Sequence, residues 1–378
     1  MSRLDELIAE LCPDGVKYKN LEDCCTVLDR KRKPITKAAR ESGEYPYYGA
    51  NGIQDYVADY IFDGTFILVG EDGSVITPTG RPVVNWAEGK IWVNNHAHIV
   101  SEKKGVLLRF LYHFIQTVDV TTYIHGNIPK FTGGDFKAVQ VPVPPLEVQR
   151  EIVRILDNFT ELTAELTAEL TARRTQYEYY RDELIENPHG EVIECKMGDM
   201  LTFLNGRAYK QEELLSEGKY PVLRVGNFYT NDSWYYSDLE LDESKYCDNG
   251  DLLYSWAATL GPQIWNGEKC IFHYHIWKIL FEEKEVDKEY LYYFLQYDLA
   301  KIAKSTTKST MIHVSMGSMK ERQLILPSLE EQKRIASLIS KFDTLCCDIK
   351  NGLPAEITAR QNQYEYYRDK LLTFKEAQ

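Results

Sequence analysis

Residues 177–184 read Tyr-Glu-Tyr-Tyr-Arg-Asp-Glu-Leu, and residues 364–371 read Tyr-Glu-Tyr-Tyr-Arg-Asp-Lys-Leu. Upstream of these, Pro-Pro-Leu-Glu-Val-Gln at 144–149 is echoed by Pro-Ser-Leu-Glu-Glu-Gln at 327–332. The copies lie 183 residues apart at the prolines and 187 apart at the tyrosines, so the chain of 378 residues consists of two halves that end alike. A duplication of this length indicates a pseudo-two-fold arrangement that performs one task at two places.

Both repeated segments have helical periodicity. Apolar residues recur at spacings of three and four from Ile152 to Leu184 and from Leu329 to Leu371, which predicts one buried stripe on each helix. A helix of about 40 residues is roughly 60 Å long, which is more than one globular core can cover. We therefore expect the two helices to pair, in antiparallel directions because a globular half separates them. Gly352-Leu353-Pro354 should kink the second helix.

The first helix contains the unit Glu-Leu-Thr-Ala three times, over residues 161–172. One unit more or less would shift everything beyond it by about 6 Å and about 40° of helix rotation. Such a repeat changes a spacing without altering either globular part. The two helix copies differ in length by four residues, near 351–354.

The regions between the helices mix short strand-like runs with one helix-like stretch each, which predicts mixed α/β (α+β) domains. They match weakly at 45–48 with 220–223 and at 96–99 with 273–276, so we expect one fold with diverged faces. The predicted organisation is two similar domains at 1–143 and 188–326, joined by helical segments at 144–187 and 327–378.

Composition limits the class of protein. A net charge of −13 argues against a nucleic-acid binder that acts alone, although the stretches 30–40 and 299–320 carry lysine or arginine and no acid. The sequence has no apolar run long enough for a membrane span and no secretion signal. Eight cysteines without a Cys-x-x-Cys pair are typical of reduced cysteines, so a cytoplasmic location is expected.

Glycine-rich phosphate loops and nucleophile-elbow motifs are absent from the sequence, so we expect no enzymatic activity. The histidine pairs His96/His98 and His273/His275 alternate, which would put each pair on one face of a strand. A metal site is one interpretation, and half-buried strand residues or groove contacts are the other. No acidic or cysteine cluster stands beside them in the sequence, so no metal site is predicted.

Loops rich in hydroxyls, amides and lysines precede each repeated helix, at 121–132 and 304–315, and favour contacts with phosphates and base edges, although plain solvated loops are the alternative. The candidate DNA-binding residues are Arg30, Lys31, Arg32, Lys33, Asn51, His96, His125, Asn127, Lys130, Arg207, Arg224, Asn227, Lys304, Lys308 and His313.

The repeated tyrosines allow two interpretations, a base-stacking platform or the apolar seam of a helix pair, and their helical spacing favours the seam. The candidate helix-pairing or partner-docking residues are Leu156, Phe159, Leu166, Tyr177, Tyr180, Phe342, Tyr364 and Tyr367.

Over its whole length the chain resembles the DNA specificity subunits of type I restriction-modification systems. The resemblance is carried by the proline-leucine-glutamate and tyrosine motifs at 144–149, 176–182, 329–332 and 363–369 and by the stretches 47–53, 220–227 and 250–256. The tandem Thr-Ala-Glu-Leu unit at 163–170 is similar to the spacer repeat of the subgroup called IC.

The resemblance implies that two target recognition domains each read one half of a split, asymmetric site in double-stranded DNA. It also implies that the antiparallel helices act as a ruler and dock two modification (methyltransferase) subunits, which restriction (translocase/nuclease) subunits join. The chain itself would hold no cofactor and perform no catalysis, because S-adenosylmethionine, ATP and Mg would belong to the partner subunits. The alternatives are a coiled-coil interaction scaffold with two domains that do not bind DNA and, more remotely, a histidine-based metallohydrolase.

Overall fold

The computed structural model describes residues 2–73, 75–123, 129–229, 231–305, 314–347 and 352–377. The chain forms two compact units: unit 1 comprises Met1–Thr167 and Glu356–Gln378, and unit 2 comprises Ala168–Ala355. Both units combine helices with sheets, which confirms the predicted mixed α/β class. Within the described ranges, no helix is both long enough and apolar enough to cross a membrane.

Unit 1 is built around a six-stranded sheet. Its helices are Arg3–Leu11 (α1), Leu21–Cys24 (α2), Leu108–Ile115 (α3), Gly133–Ala138 (α4) and the first part of Leu146–Glu186 (α5). Its strands are Lys17–Asn20 (β1), Cys25–Val27 (β2), Ser42–Gly49 (β3), Gly52–Val57 (β4), Phe62–Gly70 (β5), Val84–Val93 (β6), Ala97–Glu102 (β7) and Gln140–Val143 (β8). The sheet order is β2-β7-β5-β6-β3-β4, with β3 parallel to β6 and the other neighbours antiparallel, and β1 pairs with β8.

The central strand β5 explains why unit 1 needs cover on both faces of its sheet. Phe66, Ile67, Leu68 and Val69 are all buried, and successive side chains of a strand point to opposite faces. Ile67 and Val69 belong to the larger core, which also contains apolar residues of α3 and α5. Phe66 and Leu68 belong to a smaller core on the other face. The continuous apolar run at 66–69 therefore belongs to a strand that is covered on both faces.

Unit 2 repeats this plan with shorter strands. Its helices are the second part of α5 together with Met197–Met200 (α6), Lys288–Ser305 (α7), Met316–Lys320 (α8) and Leu329–Cys347 (α9). Its strands are Val192–Lys196 (β9), Thr202–Asn205 (β10), Tyr220–Leu223 (β11), Tyr235–Ser237 (β12), Tyr246–Cys247 (β13), Leu252–Ser255 (β14), Gly261–Ile264 (β15), Cys270–Phe272 (β16), Ile276–Leu280 (β17) and Gln323–Pro327 (β18). The sheets have the orders β10-β17-β14-β15, β12-β11-β16-β13 and β18-β9.

The second copy of the repeat is two helices rather than one. Helix α9 ends at Cys347, and helix α10, Leu353–Leu371, begins at the position where the sequence predicts a kink, whereas residues 348–351 lie outside the described residues. The first copy, α5, is continuous over 41 residues.

Contacts within unit 2 give the direction of helix pairing. His189, just beyond the end of α5, donates its backbone N–H to Glu331 near the start of α9 (2.9 Å), and Tyr180 stacks on Phe342 further along α9. Residue numbers fall along α5 as they rise along α9, so this pair is antiparallel, as predicted. In unit 1, Phe159 of α5 stacks on Tyr367 of α10.

Candidate nucleic-acid interface

A cleft in unit 1 brings together three of the predicted DNA-binding residues. Its volume is about 600 Å³, and its lining includes Asn51, His96 and Lys130. These residues come from the turn between β3 and β4, the turn before β7, and the segment after α3. Asn51 and Lys130 are exposed. An amide, an imidazole and an ammonium group at one concave surface are suited to base edges and phosphates.

Two further residues of the cleft, Gln54 and Asp72, were missed by sequence reasoning. The carboxylate of Asp72 hydrogen-bonds Nδ1 of His96, and the backbone of Asp72 forms a bridge with Lys130. Asn94 donates its side-chain Nδ2 to Gln54 Oε1 (3.3 Å), and the Oδ1 atom of Asn94 accepts the backbone N–H of His96 (2.8 Å). The cleft residues are thus held by one another. A single Gln within a strand and a single Asp after one carry no pattern that would have identified either of them.

Behind the cleft lies a charge network. Arg32 donates Nη1 to Glu71 Oε2 (2.7 Å) and to the carbonyl oxygen of Ala97 (2.7 Å). His98 is fully buried, with Nδ1 2.7 Å from Asp29 Oδ2 and Nε2 2.9 Å from the carbonyl oxygen of Phe131. Burial alone would raise the pKa of Asp29, but its hydrogen bonds with His98 and Ile99 and the charge of Arg32 lower that pKa below its usual value.

The network corrects the prediction for Arg32. Its side chain is only 12% exposed and pairs with Glu71, so the structure gives it a supporting position rather than a surface position. Glu71, Ala97 and Phe131 each adjoin one residue of the cleft, namely Asp72, His96 and Lys130. Arg32 and His98 therefore hold the chain segments that carry Asp72, His96 and Lys130 of the cleft.

The same network bears on metal binding. Asp29, Glu71 and His98 place one possible ligand atom each within 4.8 Å of one another, so the expectation that no acidic cluster accompanies the histidines is wrong for His98. However, the guanidinium of Arg32 lies 2.7 Å from Glu71 and 3.7 Å from Asp29 and already supplies positive charge there. The residues therefore fit an ion-pair network better than a metal centre.

Three basic neighbours of Arg32 remain at the surface. The side chains of Arg30, Lys31 and Lys33 are exposed, and none of them forms an ion pair with the part of the chain that the structure describes. The backbone of Lys33 is fixed by two hydrogen bonds. Its N–H donates to the carbonyl oxygen of Val93 (3.2 Å), and its carbonyl oxygen accepts from Nε1 of Trp92 (2.6 Å). Their predicted contact with DNA stays a prediction.

In unit 2, the polar side chains of the loop after β11 form hydrogen bonds within the loop itself. Asn227 accepts the backbone N–H of Arg224 (3.1 Å) and donates to the carbonyl oxygens of Asn231 (2.8 Å) and Ser233 (3.1 Å). The side chain predicted to bind DNA therefore caps a loop, in the manner of an Asx turn. Arg224 donates Nη2 to Ser233 (3.0 Å) and lies over the ring of Tyr235 (4.4 Å). Arg207 pairs with Glu213 (2.6 Å).

The histidine pairs require two corrections. Neither pair lies within one strand, because His96 precedes β7 and both His273 and His275 precede β17. Their predicted correspondence is also shifted by two residues. Glu71 donates its backbone N–H to His96 (2.8 Å) as Trp256 donates to His275 (3.0 Å), so His96 corresponds to His275.

The corrected register shows how the two faces differ. Val69 pairs with His98 in unit 1, and Tyr254 pairs with Trp277 in unit 2, so Trp277 occupies the position of His98. Where unit 1 has the charge network, unit 2 stacks Trp277 on Tyr254 (5.9 Å) and on Trp256 (6.1 Å). One backbone plan therefore carries different buried side chains at equivalent positions of the two units.

Five predicted DNA-binding residues cannot be placed. His125, Asn127, Lys308 and His313 lie outside the described residues, as does the side chain of Lys304 near the end of α7. They belong to the polar loops at 121–132 and 304–315.

The predicted helix-pairing residues lie largely along the helix contacts. Leu156 is fully buried, Leu166 is half-buried, and the pairs Phe159–Tyr367 and Tyr180–Phe342 stack at 5.4 and 5.9 Å.

The first tyrosine of each repeat points into its unit. The hydroxyl of Tyr177 bonds Gln296 Oε1 (3.0 Å), and that of Tyr364 bonds His113 Nδ1 (2.8 Å). The arginine of each repeat, Arg181 or Arg368, lies over this ring and pairs with the aspartate that follows it. The repeat thus encodes a buried contact made once in each unit.

The next tyrosines of the repeat are exposed. Tyr179 and Tyr366 expose 64% and 63% of their surface, and Tyr180 and Tyr367 expose 41% and 40%. Each unit therefore carries one matching aromatic patch on its repeat helix.

A family model described as the type I restriction modification DNA specificity domain matches residues 13–173 and 190–359, which are most of the chain. A chain described as a type I restriction enzyme specificity subunit of Haemophilus influenzae is 38% identical over 378 residues, covering 95% of this chain and 96% of the relative. A type I restriction enzyme specificity subunit of Escherichia coli is 29% identical over 301 residues, covering 71% of each chain.

Solved structures have the same fold. The crystal structure of a type I restriction-modification system S subunit from M. genitalium matches with a TM-score of 0.56 at 16% identity, covering 95% of this chain and 96% of that chain. A structure from work on complex assembly and conformational transition of the type I restriction-modification system matches with a TM-score of 0.61 at 16% identity, covering 95% and 98%.

Proposed function

Because the chain belongs to the family of type I restriction-modification DNA specificity domains and is a DNA sequence-specificity subunit, we propose that its two units each read one half of a bipartite, asymmetric site in double-stranded DNA. Membership of a family of specificity subunits favours a non-catalytic role. It does not favour the alternative of an interaction scaffold without DNA.

The observation that carries the proposal is the cleft of unit 1 with Asn51, His96 and Lys130. Two units with the same fold and the same side chains on their DNA-facing surfaces would read the same bases twice. Here the shared backbone plan places exposed Lys33 in unit 1 where unit 2 has Arg207, in addition to the buried ion-pair network at His98 and the buried aromatic stack at Trp277. Different side chains at equivalent positions support two different half-sites.

The repeat helices suit a second role, the docking of two copies of one partner. Tyr179 and Tyr366 are the most exposed tyrosines of the two patches, and they occupy equivalent positions in the repeat. Identical patches on dissimilar units favour identical partners. We therefore assign these patches to two modification (methyltransferase) subunits. S-adenosylmethionine, ATP and Mg would then be bound by the modification and restriction subunits of the complex.

Methylome sequencing of a host with and without this gene, with the modification subunit supplied, tests the proposal. We expect a new bipartite motif with methylated adenines on both strands. A stable complex that adds no motif would contradict the reading of DNA. Exchange of residues 1–143 for the corresponding part of another family member should change one half-site only, and a change in both would contradict the division of labour.

The cleft itself is tested by Asn51→Ala, with Lys130→Ala as its matched partner. Asn51→Ala should relax the motif at one position of one half-site, because a side-chain amide can read a base edge. Lys130→Ala should weaken methylation of all sites alike, because an ammonium group contacts phosphate without reading sequence. An unchanged motif and unchanged methylation in both variants would remove the cleft from the interface.

A further inference from the structure

Three side chains of unit 2 form a row across neighbouring chain segments. Arg207 and His273 are partners in a parallel β-bridge. Arg224 and His273 directly follow the paired residues Leu223 and Phe272, and His273 donates its backbone N–H to Leu223 (2.9 Å). Paired residues in adjacent chains project to the same face. The row is therefore Arg207, His273, Arg224, with the histidine in the middle.

The row contains hydrogen-bond donors without acceptors. Arg207 donates Nη2 to the carboxylate of Glu213, and Arg224 donates Nη2 to the carbonyl oxygen of Ser233. Nη1 of Arg207, Nε of Arg224 and the hydroxyl of Tyr209 are buried, and the described residues provide no hydrogen-bond partner for them. The ring of Tyr209 lies 6.3 Å from that of His273. Buried donors are costly unless they are satisfied, so this cluster indicates a ligand rich in acceptors.

Aromatic rings hold both guanidinium groups in place. Arg207 lies 5.1 Å from the ring centre of Tyr209, and Arg224 lies 4.4 Å from that of Tyr235. Packing of this kind orders a long side chain before a ligand arrives and so lowers the entropic cost of binding. The exposed ring of Tyr274 lies 4.5 Å from His273, so solvent is close to the row.

The charge of the cluster is positive. Two guanidinium groups face one carboxylate, that of Glu213. Burial, together with the charges of His275 and Arg224, lowers the pKa of His273 to about 4, so its ring is neutral at pH 7. An anion is the ligand that satisfies the free donors and balances this charge.

We propose that Arg207, His273 and Arg224 form an anion site that binds one phosphodiester of the DNA backbone beside the half-site read by unit 2. This inference rests on the proposed function. A phosphodiester suits the row better than a base edge does, because the free donors belong to different side chains on either side of His273. Base edges are typically read in bidentate fashion by one side chain.

Unit 1 does not share the site. Lys33 donates its backbone N–H to Val93 (3.2 Å) as Arg207 does to Phe272 (3.0 Å), so Lys33 takes the place of Arg207. By the same comparison Asn94 takes the place of His273, and Gly49, which follows Tyr48, takes the place of Arg224. At the positions where unit 2 has two arginines, unit 1 thus has one lysine. The backbone contact is therefore stronger on the unit 2 side.

The test compares Arg207→Gln and Arg224→Gln with the matched control Lys210→Gln, an exposed neighbour of the site whose side chain pairs with Glu212. The full chain is assembled with its modification subunits, and binding to a labelled duplex of arbitrary sequence is measured at several salt concentrations. Each arginine variant should bind roughly tenfold more weakly. Each should also lower the slope of log affinity against log salt by about 1. Lys210→Gln should match the wild type.

Two further measurements separate the possible failures. The methylated DNA motif should keep the same bases in both arginine variants. A changed base in one half-site would show that the arginines read bases and would contradict the phosphate contact. In the wild-type complex, the pKa of His273 followed by NMR should rise when the duplex is added, because an anion favours the protonated ring. This measurement does not depend on the folding of a variant, and an unchanged pKa would overturn the site. Failure of the wild type to bind any duplex would instead overturn the proposed function.

Discussion

The ring of Phe159 stacks on the ring of Tyr367, with centroids 5.4 Å apart and planes at 20°. In unit 2 the equivalent residues, Phe342 and Tyr180, stack at 5.9 Å and 22°. The phenylalanine comes from the first helix copy in one unit and from the second copy in the other. The duplicated sequence therefore makes one contact twice, once within each unit, with the helix roles exchanged.

Tyr367→Ala should lower the free energy of unfolding by about 1–2 kcal/mol, because it removes a half-exposed ring from a stacked pair. Tyr367→Phe keeps the ring and should stay within about 0.5 kcal/mol of the wild type. Chemical denaturation of Phe159→Ala, Tyr367→Ala and the double variant gives the coupling, which we expect to be about 1 kcal/mol. Strict additivity would show that the stack contributes nothing of its own.

Arg32→Ala should lower the free energy of unfolding of the chain by about 3 kcal/mol. It leaves the partly buried carboxylates of Asp29 and Glu71 near each other without the cation that pairs with both. Arg30→Ala is the matched control, since Arg30 is exposed, and it should change the stability by less than about 0.5 kcal/mol. Equal effects of the two substitutions in thermal or chemical denaturation would contradict the supporting position of Arg32.

These two arginines show how far the sequence leads. Arg30 and Arg32 stand in one cationic run, and composition cannot distinguish them. Arg32 pairs with Glu71, which lies 39 residues away in the sequence, and His98 bonds Asp29, which lies 69 residues away. Burial of a charge depends on tertiary neighbours, which one sequence does not reveal. The predicted contact of Arg30 with DNA therefore stays a prediction for an exposed side chain, whereas Arg32 is held in an ion pair below the surface.

The helices, by contrast, can be predicted from the sequence because the apolar spacing that indicates them is local and occurs twice. Periodic residues such as Ile152 and Leu156 are fully buried, and the antiparallel pairing follows from the duplication. The histidine pairs were misaligned because the segments around them have different lengths in the two units, and a shift of two residues preserves strand alternation. Backbone hydrogen bonds of Glu71 and Trp256 were needed to set the register.

His113→Gln should make unit 1 resemble unit 2. His113 and Gln296 each bond the first tyrosine of a repeat, so the substitution keeps an acceptor for the hydroxyl of Tyr364 and a donor for Asp157. We expect a loss of less than about 1 kcal/mol in the free energy of unfolding, against roughly 2 kcal/mol for His113→Ala, which leaves buried polar groups unpaired.

The same substitution should change the pH dependence of stability. Burial lowers the pKa of His113, although Asp157 opposes this shift. As pH falls through about 6.5, the unfolded chain takes up a proton that native His113 does not, so the free energy of unfolding decreases. His113→Gln removes this contribution. Denaturation of both proteins between pH 8 and about pH 5 measures the difference, and parallel curves would contradict a buried neutral histidine.

Glu331→Gln should destabilise unit 2 at neutral pH and have little effect in acid. The hydrogen bonds from Arg334 lower the pKa of Glu331 to about 2, against the effect of burial and with help from the backbone N–H of His189. The stabilisation is complete above the usual carboxyl pKa of 4.5 and is lost as pH falls through about 2. We expect a cost of roughly 2 kcal/mol at pH 7. Glu330→Gln, at an exposed neighbour, is the control, and an equal cost for both would contradict the assignment.

Insertion of one Glu-Leu-Thr-Ala unit after Ala168, in register with the tandem repeat, should lengthen the non-specific spacer of the DNA site and leave both half-sites unchanged. The boundary between the two units falls at Thr167 and Ala168, inside the tandem repeat, and this stretch of α5 is half-buried or exposed. Four helical residues add about 6 Å, which corresponds to one or two base pairs at about 3.4 Å per pair. Thr167→Ser keeps the length and should keep the spacer. Methylome sequencing gives the spacer directly, and altered half-site letters or an unchanged spacer would show that α5 is not the ruler.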